Sequence, residues 1–160
     1  MKMNPLVVAA FPGSGKSYYS EELDQSGSSV SVEVSDLLLK YYSFNTERVN
    51  LEISEIYQKY SLFIDEKIND GYSIIFIPAF YDDVLELMRF EKYRIVLVYP
   101  KQDLLNEYLT RYKSRGSDGI YIEKISREWN DSLDKLKSIA GCRHIELNSM
   151  QYISDIIKDL

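Results

Sequence analysis

Lys16 and Ser17 close the run Ala10-Phe11-Pro12-Gly13-Ser14-Gly15-Lys16-Ser17, and these residue types at this spacing are suited to gripping a polyphosphate. Gly13 and Gly15 permit the backbone torsions that turn successive N–H groups toward one anion. Lys16 supplies a cation for β- and γ-phosphates, and the Ser17 hydroxyl is placed to ligate Mg²⁺. A helix starting near Gly15 would add its positive end. The pattern is G-x-x-x-x-G-K-[ST] with Ala10 in the first glycine's place, a mild departure where no positive φ is needed. Pro12, Gly13, Ser14, Gly15, Lys16 and Ser17 are therefore expected to bind a nucleoside triphosphate, and Ser17 its metal.

Transfer of a phosphoryl group needs positive charge around the moving group and a positioned acceptor. Arg111 and Arg115 stand i, i+4 in a helical segment and share a face. A glycine-flanked loop follows them, so residues 111–120 are expected to form a lid whose arginines close over the triphosphate. The bland alternative is surface pairing with acids such as Glu107. Asp36 follows Val32-Glu33-Val34-Ser35 and is expected near the γ-phosphate, to orient the acceptor hydroxyl or a magnesium-bound water. It is equally suited to capping a helix. Glu33 competes for the acidic role, and His144 and Trp129 read as structural.

Positioning these groups falls to strands alternating with helices. Leu6 to Ala10 reads as a central parallel strand, Lys16 to Leu23 as the first helix, and Val30 to Val34 as a second strand. Thr46 to Asn69 has helical spacing from Val49 to Ile68, a cap at Thr46-Glu47 and a stop at Gly71. Strands are expected at Ser73–Ile77, broken by Pro78, at Arg94–Tyr99 and at Arg143–Leu147. Helices are expected at Asp82–Met88, Gln102–Tyr112, Tyr121–Ala140 and Gln151–Leu160. Such alternation implies an α/β fold, a parallel sheet covered on both faces, with the ligand at the carboxyl ends of its strands.

The 160 residues give one domain, 1–160, with 45% hydrophobic and 28% charged residues, as in ordinary globular proteins. No apolar stretch reaches the ~20 residues of a membrane helix. A cleaved leader would remove the phosphate motif itself, and the lone Cys142 forms no intrachain disulfide, so a cytoplasmic setting is expected. The net charge of −6 argues against a nucleic-acid partner, which calls for a basic face. The 14 tyrosines are expected to bury their rings and keep their hydroxyls wet.

After the third strand, Ile74-Ile75-Phe76-Ile77-Pro78-Ala79-Phe80 offers no acid before Asp82, which disfavours a hydrolytic ATPase with a dedicated strand-end acid and favours a kinase. The phosphate loop, the Arg111-x-x-x-Arg115 pair and the length together resemble small phosphate-loop kinases of the nucleoside monophosphate kinase superfamily, in particular short nucleotide kinases of bacteria and their phages. Val98-Tyr99-Pro100, Glu107 to Gly116 and Tyr121 to Trp129 add to the likeness. The resemblance implies an adenylate-kinase-like three-layer sandwich with the P-loop nucleoside triphosphate hydrolase fold and a five-stranded parallel sheet in the order 2-3-1-4-5. It also implies ATP with Mg²⁺ as donor and a nucleotide or similar small acceptor, with Lys16, Arg111 and Arg115 in catalysis. The strand-two acids are reduced to Glu33 and Asp36, and the D-G-[FY]-P-R segment of adenylate kinases is missing. Two other readings remain open, a nucleotide-binding module without catalysis and a polynucleotide 5′-hydroxyl kinase.

Overall fold

A computed structural model describes residues 4–34, 36 and 53–160. Five parallel strands form one sheet in the order β2-β3-β1-β4-β5, as expected. They are β1 (Leu6–Ala10), β2 (Ser29–Ser31), β3 (Ile74–Pro78), β4 (Arg94–Pro100) and β5 (Arg143–Leu147). Every residue of β1 is buried, because neighbours on both edges and helices on both faces enclose it.

The two faces of the sheet sort by alternation. Val7, Ala9, Ile75, Ile77 and Leu97 point into the larger core, while Leu6, Val8, Phe76, Val96 and Val98 point into the smaller one. Helices α2 (Ile53–Asn69), α3 (Tyr81–Met88), α4 (Leu105–Ser114) and α5 (Gly119–Lys137) bury apolar residues in the first. The second is covered by α1 (Lys16–Tyr18), which runs on as a π-helical turn over Tyr19–Leu23, and by the short α6 (Ile153–Ile156). The result is a three-layer α/β sandwich.

Four boundaries differ from expectation for identifiable reasons. The alternation Val30 to Val34 predicts a longer β2, but the Asp36 carboxylate accepts the Glu33 N–H at 2.8 Å and its own N–H donates to Glu33 O at 3.0 Å. That closed turn pulls the chain off the sheet after Val32. Pro78 ends β3 from within, where its missing N–H costs nothing further along the ladder. α5 spans Gly119 to Lys137, because Asp118 caps its start by accepting the Ile120 N–H at 2.7 Å. The terminal helix shrinks to α6 and a 3₁₀ turn over Ile157–Asp159. The Thr46-Glu47 cap and Val49 lie outside the described residues.

Tyrosines depart from expectation as well. Tyr60, Tyr108 and Tyr112 are fully buried, and two of their hydroxyls bond the backbone: Tyr60 donates to Val32 O at 2.9 Å and Tyr112 to Pro12 O at 2.7 Å. Trp129 anchors α5 as expected, donating to Gln102 O at 2.8 Å. His144 is structural, its ring between the Tyr99 hydroxyl at 2.8 Å and Ile139 O at 2.7 Å.

The turn from α1 into β2 depends on one carboxylate. Asp24 accepts from the Ser29 hydroxyl at 2.6 Å, the Ser26 hydroxyl at 2.7 Å and the Ser29 N–H at 2.8 Å. Those bonds, the Ser29 hydroxyl first, hold its pKa down at about 2, against 3.8 for a free side chain. A depressed carboxyl pKa contributes stability above the unfolded value and loses it as pH falls through the folded one. The urea midpoint is therefore expected to fall between about pH 4 and pH 2, and Asp24→Asn to flatten that part of the profile. An unchanged profile in Asp24→Asn would refute the assignment.

Candidate functional site

The connection from β1 to α1 is a loop whose polar groups face two ways. Gly13 and Gly15 have φ of +88° and +90°, the left-handed region that glycine enters freely. On the outer side every carbonyl has a partner. Phe11 O accepts from Ser14 N–H and Oγ, Pro12 O from the Tyr112 hydroxyl and Gly13 O from Arg111 Nη1 at 2.9 Å. Ser14 O accepts from Ile153 N–H and Gly15 O from Tyr19 N–H, both at 2.9 Å. Among the described residues no acceptor meets the N–H groups of Gly13, Gly15, Lys16 and Ser17. The loop is thus an anion cradle with its carbonyls tied away from the anion.

Lys16 stands at the centre of this cradle, its side chain 15% exposed and its Nζ 3.8 Å from Glu33 Oε1. Burial lowers its pKa, Glu33 opposes that shift, and the Arg115 charge adds to it. The Ser17 hydroxyl is exposed and makes no hydrogen bond among the described residues, so it fits the metal-ligating role. Of the two strand-two acids, Glu33 is beside Lys16, whereas the Asp36 carboxylate is engaged with the Glu33 backbone. That bond runs back to a residue before Asp36, whereas an N-cap accepts from residues after it, and the run Leu37-Leu38-Leu39 that Asp36 could cap lies outside the described residues. The shared position in sequence gave no means of separating the two acids.

The arginine pair divides its work. Arg111 is nearly enclosed, with Nη1 on Gly13 O, Nη2 on Gln151 O at 3.1 Å and on Glu107 Oε2 at 3.0 Å. Its guanidinium lies 4.3 Å from the Tyr108 ring centre and 3.9 Å from that of Tyr152. Arg111 therefore holds the loop through the Gly13 carbonyl and also lines the cavity beside Lys16 and Ser17. Arg115 sits nearer the tip, over the Tyr112 ring at 5.0 Å, its Nε donating to Ser117 Oγ at 2.9 Å. Residues 115–118 make a tight connection, with Ser117 N–H returning to Tyr112 O at 2.9 Å.

Three residues that sequence reasoning gave no site role complete the surroundings. Glu107 accepts from Ser149 Oγ at 2.6 Å and from the Met150 N–H at 3.2 Å, so it ties α4 to the connection after β5. Burial opposes ionisation there, but these bonds and the Arg111 charge together hold its pKa below the usual range. Met150 and Tyr152 line a cavity of about 710 Å³ with Gly13, Lys16, Thr110 and Arg115. Met150 holds a φ of +64° and is exposed, a strained conformation at the mouth of a site. Arg127 lines a separate depression with Lys113 and Ile122.

These contacts make Arg111 a testable support of the loop. Arg111→Ala is expected to weaken ATP binding by roughly tenfold or more, since charge-assisted bonds contribute about 1.5–3 kcal/mol each. Arg111→Lys should not restore it, because an ammonium cannot span Gly13, Gln151 and Glu107 at once. Titration calorimetry gives the answer, and wild-type affinity in Arg111→Ala would overturn it.

Solved structures share this architecture. A gluconokinase from Sinorhizobium meliloti 1021 is similar over 98% of this chain and 88% of its own, at 16% identity and a TM-score of 0.52. A shikimate kinase from Bacteroides thetaiotaomicron matches over 92% of this chain and 88% of its own, at 13% identity and a TM-score of 0.55. The chain has the fold of phosphate-loop kinases. An uncharacterised protein from Eubacterium ventriosum is similar over 99% of this chain and 97% of its own, at 12% identity and a TM-score of 0.53. No protein-family model and no curated protein matches the sequence. The fold puts the cradle and Lys16 at the carboxyl end of the central strand β1, and Glu33 just past the carboxyl end of the edge strand β2. Among the described residues no helix is long and apolar enough to cross a membrane, and no three His, Cys, Asp or Glu residues cluster as metal ligands.

Proposed function

We propose that this protein is an ATP-dependent kinase that phosphorylates a hydroxyl or phosphate group of a small molecule. The observation that carries the reading is the cradle itself: four inward N–H groups without acceptors among the described residues, gathered around Lys16. The acceptor oxygen attacks the γ-phosphorus, the bond to the β,γ-bridging oxygen breaks, and ADP leaves with that electron pair. Glu33 is the carboxylate placed to take the hydroxyl proton, and Lys16 meets the charge that spreads over the phosphate oxygens. Arg115 supplies the second cation, while Arg111 holds the loop in register. Mg²⁺, when bound at the Ser17 hydroxyl, would neutralise part of the β- and γ-phosphate charge. Met150 and Tyr152 offer apolar surface beside the loop for the nucleoside.

Nucleoside monophosphates are the acceptor class implied by the sequence resemblance, and they head the panel to be tested. The decisive experiment is ATP consumption over all ribo- and deoxynucleoside monophosphates, neutral sugars, amino sugars and a 5′-hydroxyl oligonucleotide. Turnover with a small acceptor supports the reading. ATP binding without turnover anywhere would favour the non-catalytic module, and turnover on the oligonucleotide alone would favour a polynucleotide kinase. Glu33→Gln is expected to lower kcat by about 100-fold or more, and Asp36→Asn by less. The reverse order would return the acidic role to Asp36.

A further inference from the structure

Two chemically different groups of residues line the cavity beside the phosphate loop. Gly13, Gly15, Lys16 and Ser17 suit a polyphosphate, whereas Tyr18, Met150 and Tyr152 present ring and thioether surface. These last three are exposed and belong to neither core. A polyphosphate held in the cradle therefore brings its nucleoside against apolar surface that the fold itself does not use.

Tyr152 is the most firmly held of the three. Its ring centre lies 3.9 Å from the Arg111 guanidinium, and a Cβ at Gly15 would lie 3.2 Å from its Cδ1. Its N–H donates to Asp155 Oδ2 at 2.8 Å, and the next N–H, of Ile153, donates to Ser14 O at 2.9 Å. The side chain still keeps 36% exposure, so with one ring face on the guanidinium the other is open toward the cavity. Tyr108 already lies on the same guanidinium, at 4.3 Å. The stacking partner left for a base is the tyrosine and not the arginine.

Polar groups that could read the edge of a base are either spent or wet. The Asn148 N–H donates to Gln151 Oε1 at 2.8 Å, the Gln151 N–H to Asn148 O at 3.1 Å, and the Met150 N–H to Glu107 at 3.2 Å. The Ser149 hydroxyl is on Glu107, and the Thr110 hydroxyl donates to Asn106 O at 3.0 Å. What stays open in this connection, among the described residues, is the Ser149 N–H with the carbonyls of Ser149 and Met150, and both residues are exposed. Strict selection of one base depends on buried polar groups that a wrong base leaves unpaired. Exposed groups turn to water instead, so a mismatch there costs little.

We infer that the donor site selects by stacking: the base lies on the open face of Tyr152, and the site takes purine nucleoside triphosphates as a class, ATP and GTP alike, over pyrimidine ones. Every base has a π-face, and the larger purine covers more of the ring. The inference rests on the nucleotide-binding half of the kinase reading and not on any acceptor or turnover.

Titration calorimetry on the full chain with Mg²⁺ tests it, using ATP, GTP, CTP, UTP and inorganic tripolyphosphate, which carries no base. ATP and GTP are expected to bind within about threefold of each other, and both about tenfold more tightly than CTP or UTP. The ratio of ATP to tripolyphosphate affinity cancels any loosening of the cradle. That ratio should fall about tenfold in Tyr152→Ala and hold in Tyr152→Phe. If Tyr152→Ala fails to fold, the wild-type series decides. A gap of tenfold or more between ATP and GTP, equal binding of purines and pyrimidines, or a ratio unmoved by Tyr152→Ala overturns the inference. Tripolyphosphate binding with no base preference sinks this inference alone and leaves the cradle standing. A purine preference in a chain that turns over no acceptor upholds the inference and sinks the kinase reading, and failure to bind any triphosphate sinks both.

Discussion

Lys16→Ala is expected to lower the rate of phosphoryl transfer by at least about 100-fold while leaving the fold standing. The ammonium is the cation at the centre of the cradle, so its loss removes transition-state charge stabilisation that no backbone group replaces. Its effect on stability should have the opposite sign. Burial lowers the Lys16 pKa in the folded chain, so folding works against the charged form, and a lowered lysine pKa means stability rises as pH climbs through the folded value. Removing the side chain relieves that penalty, and the melting temperature is expected to hold or rise. Turnover assays beside thermal melts at pH 7 read both effects. Wild-type turnover in Lys16→Ala would refute the mechanism, and a melting temperature lowered by many degrees would refute the account of its burial.

Gly13→Ala is expected to show the largest stability loss of any single methyl added to the loop. A Cβ at Gly13 would lie 2.8 Å from Tyr112 Cε1 and 3.2 Å from Tyr108 Cδ2. Neither ring can retreat. Tyr112 is pinned by its hydrogen bond to Pro12 O and packs edge-on against Tyr108 and Tyr121. The positive φ costs an L-residue about 1–2 kcal/mol and overpacking about 1–3 kcal/mol more. For a chain of this length that is a drop of roughly 5–20 °C in melting temperature. Gly116→Ala supplies the control, because Gly116 has φ of +78° but no atom within 4 Å of its built Cβ. It should show only the backbone part. Equal losses in the two variants would mean the rings yield, and ATP affinity in Gly13→Ala should fall along with stability.

The cradle was legible because its donors are contiguous: glycine, lysine and serine at fixed spacing need no tertiary information to be read together. The sheet was legible for a related reason, since Leu6 to Ala10 and Ile74 to Ile77 are apolar throughout and suit only buried parallel strands. What spacing could not supply is the identity of the opposite partner. An i, i+4 pair fixes which helix face Arg111 and Arg115 share, and that face meets carbonyl oxygens at one level and open space at the next. Asp36 and Glu33 were inseparable by sequence, because one turn of backbone decides which carboxylate is consumed locally. Met150, Tyr152 and Glu107 carry no motif; they meet only after β5 is laid beside β4.

The outer contacts of the phosphate loop come from far along the chain. Gly13 O and Pro12 O are held by residues 98 and 100 positions later, and Ser14 O by Ile153. A ribosome releases the loop well before those holders exist, so it emerges without its supports. Nucleotide affinity should therefore switch on only after Ile153 has been made, which makes ATP protection against proteolysis a reporter of chains that extend past that residue and denies shorter ones any rescue by ligand.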